Sequence, residues 1–376
     1  MVHRVRFSEL PCNDGQHAIA IATLDNPASL NALTLDMIQQ LYRQLVEWQS
    51  NSRIACVVLD SKGEKAFCAG GDVRAMYHVM KQETGQVAQK YLLEYFALEY
   101  QCDYLIHTYR KPIIVWGKGI VMGGGMGLYM GASHKVVTPK SRLAMPEVSI
   151  GLYPDVGATW FLNKIDPSVG LFLGLTGSLI NASDAIDIGF ADHIVLEESH
   201  MDVIQQLQIS DWLEQEDHDE LVSEILESFA DHSTGEHPKR QLMAHLPAIQ
   251  QACIGDDLGH IQQRLLAIKT DDPWLKAAKA AMSQGSPISA HICFRQLTQY
   301  QALSLADCFR LELSLSVRCG ELGEFQEGVR ARLIDKDGEP NWLFRRVNEV
   351  DMAVIDNLFT TLWPQSQHPL GQLGNR

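Results

Sequence analysis

The chain has 376 residues, enough for one large domain or two ordinary ones, and its 46% apolar content suits a globular protein with a well-buried core. A net charge of -15 argues against nucleic acid or an anionic membrane as the main partner. The opening MVHRVRFSEL lacks the apolar stretch of a secretory signal, and the most membrane-like window, 112–133, is broken by Lys118 and repeated glycines. Eight scattered cysteines form no CxxC pair and no metal-ligand spacing, so reduced thiols in a cytoplasmic protein are expected.

In chain order, 17–25 (HAIAIATLD) alternates and ends in Asn26-Pro27, which predicts a strand and a turn. Thr34 is a fitting N-cap for a helix with Ile38, Leu41, Leu45 and Trp48 on one face. The run 54–59 (IACVVL) is apolar throughout and predicts a fully buried strand. A turn at 61–63 leads to Ala66-Phe67-Cys68 and then Ala69-Gly70-Gly71-Asp72. A helical segment follows, with Tyr91, Leu92, Tyr95, Phe96 and Leu98 as its apolar side and Glu99 within it. This alternation of strand and helix is an α/β rhythm.

The most informative stretch is 111–157, KPIIVWGKGIVMGGGMGLYMGASHKVVTPKSRLAMPEVSIGLYPDVG. A strand-like run at 113–116 reaches a turn at 117–119, a second apolar pair, then Gly123-Gly124-Gly125 and a small-residue helix at 126–132. After another strand-like run, 135–138, come two isolated acids, Glu147 and Asp155, among Pro, Gly and apolar residues. Free backbone N–H groups at a glycine-rich helix start can hold an oxyanion. A carboxylate in partly apolar surroundings can attack, or move protons, near neutral pH. Together these features outline acyl-group chemistry.

Beyond Asp155, 171–195 predicts two short helices around a glycine-rich turn at 174–177 and a last small strand at 193–195. The section from 197 to about 287 is helical and acidic, with nine acids between Asp211 and Asp231, read as a solvated face. Helix continues over 289–322, and the Pro-, Gln- and Gly-rich tail is expected to fray. The expected domains are an α/β core with the active site, 1–197, and a helical region, 198–376, packing on it.

Each feature has a bland reading. The glycine cluster fails the dinucleotide pattern G-x-G-x-x-G, because Leu128 occupies the last position, but such glycines also serve close helix–strand packing. Gly70-Gly71-Asp72 alone is a turn, Glu147 alone a loop acid and Asp155 alone a turn residue favoured after Pro. Ser-His-Asp catalysis would need a G-x-S-x-G elbow, which is absent, and His78, His107 and His134 have no metal-binding spacing.

Taken together, LDNPASLNALTLDMIQQL, KAFCAGGDVRAMY, KPIIVWGKGIVMGGGMGL and MPEVSIGLYPDVGATWFL resemble the enoyl-CoA hydratase/isomerase (crotonase) superfamily over about residues 15–195. The resemblance implies an α/β fold of crotonase-like (ClpP/crotonase) type, a core of repeated ββα units with an added carboxy-terminal helical section. It also implies an acyl-CoA substrate and an oxyanion hole made by the N–H groups of Gly71 and Gly124. Hydratases of the superfamily carry a first catalytic Glu where this chain has Gly127, and usually Gly where it has Asp155. Gly127 with Glu147 and Asp155, and the closing EFQEGVRARLIDKDGEPNW (324–342), resemble the 3-hydroxyisobutyryl-CoA hydrolase branch.

That branch implies thioester hydrolysis in valine breakdown, with 3-hydroxypropionyl-CoA a second substrate. In it Glu147 would attack the carbonyl or activate water, and Asp155 would bind the 3-hydroxyl and assist the leaving thiolate. Glu99, Gly70 and Asp72 would contact substrate, and Lys65 and Arg74 would meet the CoA phosphates. No metal or redox cofactor is expected, coenzyme A being part of the substrate. Ala158-Thr159-Trp160 departs from the small, glycine-rich residues usual in the branch. A hydratase or isomerase, or a non-catalytic acyl-CoA-binding relative, stays open at this stage, as does the choice between monomer and homo-oligomer.

Overall fold

The computed structural model describes residues 4–83, 85–214 and 217–374. The reading of the amino-terminal stretch as no signal therefore falls partly on residues outside those described. Two sheets form. The first has six strands in the order β1 (Arg4–Pro11), β2 (Ala18–Asp25), β3 (Ile54–Ser61), β5 (Ile113–Gly117), β7 (His134–Val137), β10 (His193–Ile194). The second has the order β4 (Ala66–Cys68), β6 (Ile120–Met122), β8 (Arg142–Ala144), β9 (Ile180–Asn181). Each of β3, β5 and β7 is thus followed by a short strand that joins the other sheet, which is the repeating unit expected. From β2 to β10 the large sheet is parallel, and β3 and β5 are buried along almost their whole length, as an interior parallel strand requires. The strand β1, which pairs antiparallel with β2, was not predicted.

Thr34 caps α1 (Leu35–Ser50) by accepting from the Met37 N–H at 3.2 Å, and Ile38, Leu41, Leu45 and Trp48 are buried as expected. The polar segment after Asp72 is two helices, α2 (Val73–Gln82) and α3 (Gln86–His107), and Glu99 lies on α3. The glycine triplet opens α4 (Gly124–Met130).

The chain divides into two compact units interleaved in sequence: 1–71, 102–143 and 180–243 in one, 72–101, 144–179 and 244–376 in the other. A cut at residue 197 therefore does not separate them. The helices α5 (His200–Ile209) and α6 (His218–Ala230) belong to the first unit. Their Val203, Ile204, Leu207, Leu221, Val222, Ile225 and Leu226 form one core with Ile19, Cys56, Val58, Ile114 and Val136 of the sheet. The second unit holds α7 (Leu305–Leu322) and the segment 144–179, with both predicted acids.

Two further expectations change. No turn forms at Gly174: the helix Pro167–Thr176 runs through it and stops at Gly177. The described part of the tail is held rather than frayed, since Leu370 is buried and the Arg310 guanidinium donates to the carbonyls of Leu370 and Leu373. All eight cysteines are buried, and no disulfide joins them among the described residues.

Candidate active site

In the first unit, β4 ends at Cys68 and the chain passes through Ala69, Gly70 and Gly71 beside the start of α4. Two backbone bonds fix the passage, Ala69 N–H to the Leu30 carbonyl at 3.0 Å and Leu33 N–H to the Gly70 carbonyl at 2.9 Å. A β-carbon built on Gly70 would lie 3.7 Å from the Gly124 nitrogen, so the two glycine loops touch. A β-carbon on Gly125 would lie only 2.3 Å from the Cys68 carbonyl oxygen, so α4 approaches this closely only with glycine there. Among the described residues, no acceptor takes the backbone N–H of Gly71 or of Gly124. A backbone donor without an acceptor is what an anionic oxygen requires. Gly127 is buried on α4 and brings no carboxylate.

The predicted phosphate contacts belong to different units, Lys65 to the first and Arg74 to the second. Lys65 is exposed and lines a surface cavity of about 330 Å³ with Pro27, Leu30, Asn31 and Lys62. Lys62, which reads as an ordinary turn residue in the sequence, is exposed and lines the same cavity. Arg74 is exposed in the first turn of α2. The Asp72 carboxylate caps α2 by accepting from the Ala75 N–H at 3.1 Å, so its observed bond is local. A larger cavity of about 510 Å³ in the second unit, lined by His260, Arg345, Arg346 and Asn348, contains none of the predicted residues.

The second unit brings three acids together. Glu147 follows Pro146 and begins a single 3-10 turn, Glu147–Ile150, after which the chain reaches Asp155 through Tyr153 and Pro154. Glu99 comes to them on α3. All three are 3–4% exposed. Oε1 of Glu99 and Oε2 of Glu147 are buried with no hydrogen-bond partner. An unmatched buried acceptor costs about 1–3 kcal/mol, a penalty that a donor from substrate or water would remove. Asp155 is engaged: the Tyr100 hydroxyl donates to its Oδ2 at 2.6 Å. Tyr100 also lies 2.7 Å from the Ser316 hydroxyl, which is 2.7 Å from the Tyr153 hydroxyl. Tyr100, Tyr153 and Ser316 carried no sequence signal apart from Tyr100 being next to Glu99.

The closing motif supports the Glu147 turn. A β-carbon on Gly328 would lie 2.2 Å from the Ile150 carbonyl carbon, so the helix Glu324–Val329 rests directly on that turn. Arg330 fixes the motif itself, donating to both oxygens of Glu327 at 2.9 Å and to Asp335 and Asp337 at 2.9 and 2.6 Å.

Burial, and then the nearby Asp155 charge, hold the Glu147 carboxyl well above the usual range, and Glu99 adds a smaller push. Burial and Asp155 raise Glu99 in the same way. Burial lifts Asp155 to about 7, against the Tyr100 bond and its own N–H, which favour the anion. These shifts carry a stability cost of definite sign. Each folded pKa lies above its unfolded value, so the fold's advantage is complete below about pH 4 and is lost as pH rises through the raised values. For Asp155 alone the loss is on the order of 4 kcal/mol at alkaline pH, at about 1.4 kcal/mol per pKa unit. Glu99→Gln is therefore expected to raise the melting temperature by a few °C at pH 8 and leave it unchanged at pH 4. Melts of both proteins at the two pH values check this; equal shifts would show that Glu99 is not buried as a titrating acid.

The α/β core, the paired glycine loops and the buried acids define a protein of acyl-CoA chemistry. The chain belongs to the enoyl-CoA hydratase/isomerase family, whose model matches residues 19–359. Its relatives include the mitochondrial 3-hydroxyisobutyryl-CoA hydrolase of Gallus gallus, 35% identical over 353 residues, covering 92% of this chain and 88% of that protein. The Homo sapiens protein of the same name is 32% identical over 343 residues, covering 91% and 86%. Two solved structures each cover 95% of this chain and 97% of their own. One is an enoyl-CoA hydratase from Rhodobacter sphaeroides 2.4.1, 30% identical with a TM-score of 0.81. The other is a carnitinyl-CoA dehydratase from Mycobacterium thermoresistibile, 29% identical with a TM-score of 0.78. The crotonase fold with its helical carboxy-terminal region is thereby established. The vertebrate relatives are mitochondrial by name, so the cytoplasmic location expected from the sequence draws no support from them.

Proposed function

We propose that this chain hydrolyses 3-hydroxyisobutyryl-CoA to 3-hydroxyisobutyrate and CoA, and takes 3-hydroxypropionyl-CoA as a second substrate. The observation that carries the reading is the buried trio of Glu99, Glu147 and Asp155, with Gly127 where α4 would carry a carboxylate in a hydratase. Adding water across a carbon–carbon double bond with two acids would use a carboxylate at 127. Thioester hydrolysis uses one carboxylate at the carbonyl and one proton donor at the sulfur.

In the proposed reaction the thioester oxygen takes the N–H groups of Gly71 and Gly124 as it becomes an oxyanion. Glu147 follows one of two routes. As a base it removes a proton from water while the water oxygen bonds to the carbonyl carbon and the C–S bond breaks. As a nucleophile it bonds to that carbon itself, CoA leaves as thiolate, and water cleaves the resulting mixed anhydride. On either route the thiolate needs a proton. The reactive form of the cluster is the one with Glu147 ionised and a proton on Asp155, the proposed donor, whose carboxyl also meets the substrate's 3-hydroxyl. Lys62 and Lys65 are the proposed cations for the CoA phosphates. Neither a metal nor a redox cofactor enters these steps.

Two assays run side by side test the reading: thiol release from 3-hydroxyisobutyryl-CoA, followed with a thiol-reactive dye, and loss of crotonyl-CoA absorbance. The expected result is thiol release with crotonyl-CoA left unchanged. Consumption of crotonyl-CoA without free thiol would replace hydrolysis by hydration.

A further inference from the structure

We infer that Glu312 is a positioning residue whose carboxylate ties down the strained turn after Asp155 and so aims Asp155 at the substrate. The inference rests on the proposed role of Asp155 in meeting the 3-hydroxyl.

The turn is unusual in its backbone. Val156 has φ 52° and Gly157 φ 89°, so two consecutive residues are left-handed. For a β-branched residue this conformation is a genuine outlier, and it persists only where surrounding structure imposes it. Two buried side chains from different helices do so. Glu312 on α7 accepts from the Gly157 N–H at 2.7 Å through Oε2 and from the Thr159 N–H at 2.9 Å through Oε1. Gln296, on the helix Pro287–Gln299, donates to the Pro154 carbonyl at 3.0 Å and to the Thr159 hydroxyl at 2.7 Å. The Thr159 hydroxyl, accepting from Gln296, donates a hydrogen bond to Glu312. The polar groups of 154, 157 and 159 are thus clamped on both sides of Val156, while Asp155 points to Tyr100. One turn of helix beyond Glu312, Ser316 meets Tyr100 and Tyr153, so α7 braces both the turn and the acid's partner.

A buried carboxylate is a costly way to pack a helix. Glu312 is 0% exposed, and each of its oxygens accepts an amide proton from the one turn that carries Asp155. Gln at this position keeps the shape but has one acceptor oxygen, so its NH2 group must face one of the two amide donors.

The test is the preference for 3-hydroxyisobutyryl-CoA over isobutyryl-CoA, which lacks the hydroxyl, in wild type, Glu312→Gln and Asp155→Asn, with a crystal structure of Glu312→Gln. The expected result is a fall in the kcat/KM ratio of roughly tenfold or more in both variants, the size of effect that a misplaced group commands, with Asp155 no longer bonded to Tyr100 in the Glu312→Gln structure. An equal loss on both substrates would mean a merely structural role and overturn the inference. An unmoved turn in the variant structure would overturn it whatever the rates. If Asp155→Asn keeps the preference while the turn moves in Glu312→Gln, the positioning stands and the hydroxyl-binding role of Asp155 falls. Should Glu312→Gln fail to fold, Glu312→Asp replaces it, since a side chain one methylene shorter cannot hold both amides of the turn, and a folded variant with unchanged preference overturns the inference.

Discussion

Glu147→Gln is expected to lower thiol release by roughly 1,000-fold or more, the scale of a lost nucleophile or general base. The amide is isosteric but can neither accept the water proton nor form a mixed anhydride. The fold should not suffer, because Oε2 of Glu147 has no hydrogen-bond partner to lose and the carboxyl is already held far above its usual range by burial and by Asp155. The same variant should therefore melt at a higher temperature than wild type at pH 8. Lost activity with gained stability distinguishes a chemical role from a structural one. Retention of more than about a tenth of the rate would remove Glu147 from the chemistry. Hydroxylamine added during turnover of the wild type tests the nucleophilic route: a hydroxamate on Glu147 marks the anhydride.

The second large effect is expected at Gly125, which lies outside the acid cluster. In Gly125→Ala the new methyl would meet the Cys68 carbonyl oxygen at 2.3 Å and the Cys68 β-carbon at 2.9 Å. No rotamer relieves this, so β4 and its loop must part from the start of α4. Overpacking of this kind costs about 1–3 kcal/mol, which a large core survives. The N–H groups of Gly71 and Gly124 would part with them. Misplacing a single such donor costs about 100- to 1,000-fold in kcat, and this change disturbs a pair. The expected outcome is a folded variant with kcat down by at least about 100-fold and substrate affinity, measured calorimetrically, little changed. Gly235→Ala, where a β-carbon meets nothing within 4 Å, is the control and should behave as wild type. A wild-type kcat in Gly125→Ala would detach the glycine loops from catalysis.

Much of the α/β scaffold was legible because its signals are local. Thr34 and the apolar steps of α1 lie within one helix, and β3 and β5 announce burial by being apolar without interruption. Glu147 and Asp155 stood out as acids in apolar surroundings, and both are buried. The partition of the chain could not be read this way. Val203 and Leu226 show only that they lie on amphipathic helices; that they face the large sheet depends on contacts between residues far apart in the chain. The same holds for Gln296 and Ser316, whose partners lie 142 and 216 residues away. Glu312 did leave a trace. It falls in phase with Cys308, Phe309, Leu313 and Ser316 on the buried side of α7, where a helix pattern calls for an apolar residue. A charge in an apolar phase was the signal to follow. The positive φ of Val156 left none, since a valine there is the residue least expected to adopt it.

The most direct test of hydrolysis is turnover of 3-hydroxyisobutyryl-CoA and, separately, crotonyl-CoA in ¹⁸O-labelled water, with products resolved by mass spectrometry. The account predicts one ¹⁸O atom in the carboxyl group of free 3-hydroxyisobutyrate, one CoA thiol released for each acid formed, and crotonyl-CoA recovered unlabelled. An intact hydroxyisobutyryl thioester together with ¹⁸O incorporated into a 3-hydroxyacyl-CoA from crotonyl-CoA would contradict it, and would make water addition to a double bond the reaction of this site.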